Sequence, residues 1–177
     1  MEKAQEIMQK NIAPKPDPIR PADEEARRMA RSLLNTARFG ALGVIDPETG
    51  APVVSRVAIG TTPEGAPLTL ISSLSQHTAA LRSNPACSVL LGEPGERGDP
   101  LTHPRLTLQC HARFVDGVAP QRPALREGWL TDHPKAKLYI DFADFGFVVF
   151  EVGAGFLNGG FGKAYALVPA DLGLSVS

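Results

Sequence analysis

Apolar and polar residues alternate along the run from Arg105 to Val115, up to Phe114. Leu106, Leu108, Cys110, Ala112 and Phe114 fall on one side of that run, and Arg105, Thr107, Gln109, His111 and Arg113 on the other. A period of two sends successive side chains to opposite faces, so the run predicts a strand with one dry face and one polar face. Four earlier runs, Phe39 to Asp46, Pro52 to Gly60, Pro67 to Ser73 and Ala86 to Leu91, are short and β-rich, and turn clusters such as DPETG and TTPEG separate them. This pattern predicts hairpins in an antiparallel sheet. Phe145 to Val152 and about Gly155 to Leu167 return to strand character, with Gly159, Gly160 and Gly162 allowing a bend. Between Asp23 and Ala37 the period becomes helical: Ala26, Met29, Ala30, Leu33 and Leu34 recur on one side, and Asp23, Glu24 and Glu25 sit near the positive N-terminus. Pro123 to Asp132, with Leu125, Trp129 and Leu130, predicts a short helix, and Pro134 to Phe142 is a candidate for another. The predicted fold class is mainly β with flanking helices, an antiparallel barrel of six or seven strands.

A chain of 177 residues, 43% of them hydrophobic, suits one domain with a sizeable core. Pro14, Pro16 and Pro18 remove backbone donors, so residues 1–20 are expected to form an extended arm and 21–177 the domain. Eighteen Lys and Arg against 19 Asp and Glu give a net charge of -1, with no general pull toward nucleic acid or anionic lipid. Any anion site must therefore be local. Cys87 and Cys110 lie in apolar alternating runs with no CxxC and no zinc spacing, which reads as reduced core thiols in a cytoplasmic protein. No segment has the apolar length of a signal peptide core or a membrane span.

The stretch LSQHTAALRSNP, Leu74 to Pro85, opens with Ser75, a residue type that caps helices by accepting a nearby backbone N–H. Free N–H groups and the macrodipole make such a terminus attractive to anions. Ser72, Ser73, Ser75 and Thr78 add hydroxyls, and His77 gains positive charge if a phosphate raises its pKa. A capped helix that only packs is the commoner origin of such a pattern, and on local features both readings stand. Arg56, inside SRVAIG, is either an edge arginine reaching water or one facing an anionic or heteroaromatic ligand. The polar row of Arg105 to Arg113 is likewise either solvated or a ligand wall. GAGFLNGG, Gly153 to Gly160, imitates a dinucleotide fingerprint, but no helical period follows it. No nucleophile elbow or phosphate-cradling GxxxxGK[ST] occurs, and the histidines at 77, 103, 111 and 133 are scattered, so no catalytic or metal-ligating residue is assigned.

Taken in order, ARFGALGVIDPETGAPVVSRVAIG, PLTLISSLSQHTAALRSNPACSVLLGEP, GDPL, PRLTLQCHARFV, HPKAKLYIDFADF and GGFGKAYAL resemble the pyridoxamine 5'-phosphate oxidase-like, FMN-binding split-barrel proteins. The likeness, strongest to their haem-utilisation branch, runs from about Ala26 to Leu172. It implies a split β-barrel homodimer with FMN at the subunit interface. The family's R-x-V strand, whose arginine and following backbone meet the flavin, matches Arg56, Val57 and Ala58. Its next strand end and the phosphate-binding S-R-K before a helix match Ile71, Ser72, Ser75, Gln76 and His77, with Gln and His replacing the two basic residues. The phosphate is then expected to depend on hydroxyls, backbone N–H groups and His77, and the pair His77 and Thr78 is similar to the haem-utilisation version. A later family glutamine corresponds to Arg105 or to Gln109.

Where the vitamin B6 oxidases carry W-x-G-G-x-x-R-x-H, this chain has LNGGFGKAY, with Leu157, Lys163 and Tyr165. Lys163 is expected among the cofactor contacts, and the departure argues against pyridoxamine phosphate as the substrate. The resemblance implies an FMN-dependent oxidoreductase acting on a small-molecule substrate or electron acceptor. The alternatives are a non-catalytic flavin or haem carrier, and a haem-degrading protein.

Overall fold

The computed structural model describes residues 19–160 and 162–175; the expected arm lies outside them except for its last two residues. The strands are β1 (Ile19–Pro21), β2 (Phe39–Ile45), β3 (Pro52–Ala58), β4 (Gly60–Thr61), β5 (Pro67–Ser72), β6 (Ala86–Leu91), β7 (Arg105–Phe114), β8 (Phe145–Asn158) and β9 (Ala164–Leu167). The helices are α1 (Glu24–Thr36), α2 (Gln76–Ser83) and α3 (Arg122–Asp132), with 3-10 turns at Pro100–Thr102, Pro134–Leu138 and Pro169–Leu172.

Neighbouring strands run β1-β9-β8-β7-β6-β2-β3 across the sheet, and β5 branches from β8 with β4 at its edge. The 14-residue β8 makes this branch possible: Phe145 to Val149 pair with β5, and Gly155 to Asn158 pair with β9. The path β5-β8-β7-β6-β2-β3 curls on itself without closing. At the seam, the Thr69 hydroxyl donates to the Ala58 carbonyl at 2.7 Å, a side-chain bond where a closed barrel would have a ladder. This is a split barrel.

The seven longer strands are those the hydrophobic pattern predicts, while β1 and β4 are too short to show a period. Two details depart from expectation. β1 runs parallel to β9, and β8 continues through Val152 to Gly155, where a break was expected. The chain stays extended there because Gln109 pairs with Ala154 and Cys110 with Val152, leaving Gly153 as the extra residue of a bulge. The predicted bend comes instead after Asn158, where Gly159 N donates to the Lys163 carbonyl at 2.7 Å.

Two apolar clusters hold the fold. The barrel interior packs Leu42, Val57, Val89, Leu106, Leu108 and Phe150 against Ala26, Ala30 and Leu34 of α1. The second cluster packs Leu125 and Trp129 of α3 and Ile140 against Leu68, Phe147 and Val149 on the other side of β5 and β8. The start of α1 is fixed by Asp23, whose Oδ1 accepts from Ala26 N at 2.8 Å, a cap worth about 1 kcal/mol.

Asp171 ties α1 to the C-terminal turn: its carboxylate accepts from Arg27 Nε at 2.7 Å and from Val168 N at 2.9 Å. The Arg27 guanidinium, and then that backbone N–H, hold the Asp171 carboxyl below the usual carboxylate range. A group whose folded pKa is depressed adds stability above its unfolded pKa and loses it as pH falls through the folded value. The Asp171 contribution is thus expected to be complete at neutral pH and to fade below about pH 4. Denaturation midpoints of the native chain and Asp171→Asn should differ at neutral pH and converge in acid; curves that stay parallel would show that the carboxylate carries no such linkage.

Candidate functional site

The outer face of the sheet is legible in rows once the register is known. Arg56, Ala41, Leu90, Thr107 and Phe156 stand side by side across β3, β2, β6, β7 and β8. The next row is Val54, Gly43, Ser88, Gln109 and Ala154. A third holds Pro52 beside Ile45 and, further along, Ala86, His111 and Glu151. The middle row is built largely of small residues between rows of larger ones, so the surface dips along it. The result is a trough of about 540 Å³ lined by Gly43, Ile45, Val54, Ser88, Gln109 and His111. Its surroundings are unusually apolar for an outer face: Val54 is 71% exposed, and Ile45, Leu90 and Phe156 are each about two-fifths exposed.

Under the trough, Cys87 and Cys110 face each other across β6 and β7 on the interior side. Burial pushes the Cys87 thiol up to about 12 and Cys110 higher still. Both are therefore protonated thiols at neutral pH.

The start of α2 meets the loop that follows Ile45 through Gln76. Ser72 Oγ donates to the Asp144 carboxylate at 2.6 Å, and the Thr78 hydroxyl donates to the Ser72 carbonyl at 2.7 Å. Gln76 Nε2 donates to the Asp46 carboxylate at 2.7 Å. The backbone N–H groups of Glu48 and Thr49, and then Gln76, keep Asp46 below the usual carboxylate range, hence ionised. Burial pushes the His77 pKa down, so its imidazole is neutral. Ser75 occupies the cap position, but its hydroxyl makes no cap bond.

Two carboxylates, Asp46 and Asp144, thus lie at this helix start, and two arginines, Arg82 and Arg122, line the adjoining pocket with Ser73, Thr78 and Asp144.

The other predicted contacts separate in space. Arg56 faces outward with its Cζ 5.3 Å from the centre of the Phe39 ring and one guanidinium nitrogen 3.7 Å from Glu93. Val57 is buried in the barrel, Ile71 is buried, and the Ala58 carbonyl is taken by the seam bond from Thr69. Both candidates for the family glutamine face outward: Gln109 lines the trough, while Arg105 donates to the Leu101 carbonyl at 2.9 Å beside it. Lys163 sits on the β8–β9 turn, 3.5 Å from Glu25 of α1. The structure thus gathers Arg56, Arg105 and Gln109 on one face, sets Ile71, Ser72, Ser75, Gln76, His77 and Thr78 around the start of α2, and puts Lys163 elsewhere.

Residues 21–172 match the family model for the CREG β-barrel. The chain belongs to the CREG β-barrel family. This CREG-family barrel is 32% identical over 139 residues to an atypical chloroplastic haem oxygenase of Arabidopsis thaliana, HOZ, covering 75% of the present chain and 41% of that protein. A solved haem-binding protein from Mycobacterium smegmatis matches with a TM-score of 0.75 and 28% identity, over 88% of this chain and 61% of that one. A Clostridium acetobutylicum protein of the pyridoxine phosphate oxidase family shares the fold, with a TM-score of 0.64 and 14% identity over 85% of this chain and 99% of that one. The expected split-barrel architecture is therefore correct, and the chain spans about two-fifths and three-fifths of the two haem-related proteins.

Sequence reasoning did not single out three residues of this CREG-family surface. Asp46 and Asp144 come from loops far from Ser72 and Gln76 in sequence, and nothing local signals their meeting. His111 was visible within the polar row, but only the register shows that it borders the trough. Among the described residues no three His, Cys, Asp or Glu side chains cluster as a metal site, and no helix is long and apolar enough to cross a membrane.

Proposed function

We propose that this chain binds haem in the trough across its outer sheet face, and that a second copy covers the trough to form a homodimer. The observation that carries the reading is the depression itself, about 540 Å³ over a floor that includes Gly43 and Ser88 and beside exposed Ile45, Val54, Leu90 and Phe156. Small-molecule sites typically measure about 300–1,000 Å³ with mostly apolar walls. Contiguous apolar surface on one subunit commonly marks an interface. A flat macrocycle suits a floor of small residues, and Arg56, held only loosely by Glu93, would meet its carboxylates. Bound haem supplies redox and oxygen chemistry; the protein supplies position, electrostatics and exclusion of water. The haem-related descriptions of the Arabidopsis and mycobacterial relatives support haem over other flat ligands.

The test is to fill the floor without disturbing the fold. A Cβ added at Gly43 meets only the Ser88 carbonyl oxygen at 3.7 Å, an ordinary contact, so Gly43→Leu should fold normally. Overpacking of this kind costs about 1–3 kcal/mol, so haemin titration followed by the Soret band should show affinity at least about fivefold weaker than native. Equal affinity in the two proteins would overturn the reading. Loss of the Soret band under a reductant and oxygen would extend it to haem degradation.

An FMN-dependent oxidoreductase is the competing reading, favoured by the Ser75 hydroxyl, which makes no cap bond at the start of α2. A flavin spectrum that stays with the freshly purified protein through gel filtration would support it; a Soret band would support haem.

A further inference from the structure

The chain has four imidazoles, and the structure separates them by what each is already doing. His103 is engaged at both ring nitrogens, with Gly95 N at 3.1 Å and the Arg97 carbonyl at 2.9 Å. His133 lies 2.9 Å from the Ile59 carbonyl through Nε2, and its ring centre is 4.3 Å from that of Trp129. His77 is half-buried, with an Nε2 that has no partner and is sealed from solvent. His111 is different: it is exposed, projects from the polar face of β7, and borders both the 540 Å³ trough and a second groove of about 650 Å³.

We propose that His111 supplies an axial nitrogen to the iron of haem bound in the trough, an inference that rests on the haem reading above. The chemistry of the lining favours it. Cys87 and Cys110 are buried on the interior side of the sheet, Gln109 and Ser88 offer weak neutral oxygen donors, and imidazole is a strong ligand for iron. Ligating histidines commonly have a carboxylate nearby to orient the ring. Glu151 stands directly opposite His111 in the β7–β8 register, and Arg113 fixes it by an ion pair through Nε. The bond formed is a donation of the imidazole lone pair to iron, with no change in oxidation state.

The experiment compares the native chain, His111→Ala and His77→Ala by haemin titration, and by resonance Raman of the ferrous complexes for the iron–histidine stretch. His111→Ala is expected to unfold at the native midpoint, bind haem at least about tenfold more weakly, and lose that stretch. Added imidazole should restore the stretch in His111→Ala, and His77→Ala should keep the native spectrum. An unchanged stretch in His111→Ala, or its loss in His77→Ala alone, overturns the ligand assignment and leaves the haem site standing. Absence of saturable binding by the native chain overturns both.

Discussion

Phe150→Ala is expected to lower the unfolding free energy by about 3–5 kcal/mol, the usual cost of emptying a fully buried aromatic site. Phe150 is fully buried on β8, opposite Ala112, and belongs to the barrel cluster with Leu42, Leu108 and Leu34. Alanine there leaves a space beside the β7–β8 ladder, which cannot collapse without bending β7 or β8. Domains commonly hold only about 5–15 kcal/mol in total, so the variant would lose a large fraction of its stability. The same two strands carry Gln109, His111 and Ala154 on their outer side, so the trough should lose its shape as the interior loosens. Urea denaturation followed by far-ultraviolet circular dichroism reads the effect. A change below about 1 kcal/mol would show that the barrel interior is not the main cluster.

The second large effect is expected at Val54→Arg. Val54 is 71% exposed on β3, beside Gly43 and the trough. In a two-fold interface each residue acts on both sides, so one substitution buries two new guanidinium groups against apolar surface. An unpaired buried charge costs about 3–5 kcal/mol, which predicts dimer dissociation at least about a hundredfold stronger. Haem affinity should fall with the loss of the covering subunit. Because the side chain faces water in the single subunit, its unfolding midpoint should barely move. Sedimentation at micromolar concentration reads the first effect, and an unchanged dimer would place the subunit contact on another face.

How much of this was legible in the sequence depends on whether the cause is local. The alternation from Arg105 to Val115 became a strand with Leu106 and Leu108 fully buried and Gln109 and His111 exposed, because one-sided burial imposes a period of two. Asp23, expected only among the acidic residues near the N-terminus of α1, caps that helix. The ends of β8 and β9 were not legible, since a bulge at Gly153 kept the strand continuous where glycines suggested a break. The start of α2 shows the limit most clearly. Ser75 and His77 read locally as an anion cradle, but Asp46, Asp144 and Arg122 arrive there only through tertiary contacts. The trough was equally hidden, because Gly43, Ser88 and Ala154 become one row only when five strands are in register.

Native mass spectrometry of the chain after mixing with haemin and FMN together addresses the central claim most directly. A dimer that retains haem and no FMN is the predicted result. A species retaining FMN instead, or a single subunit carrying haem without a second copy, would contradict the account.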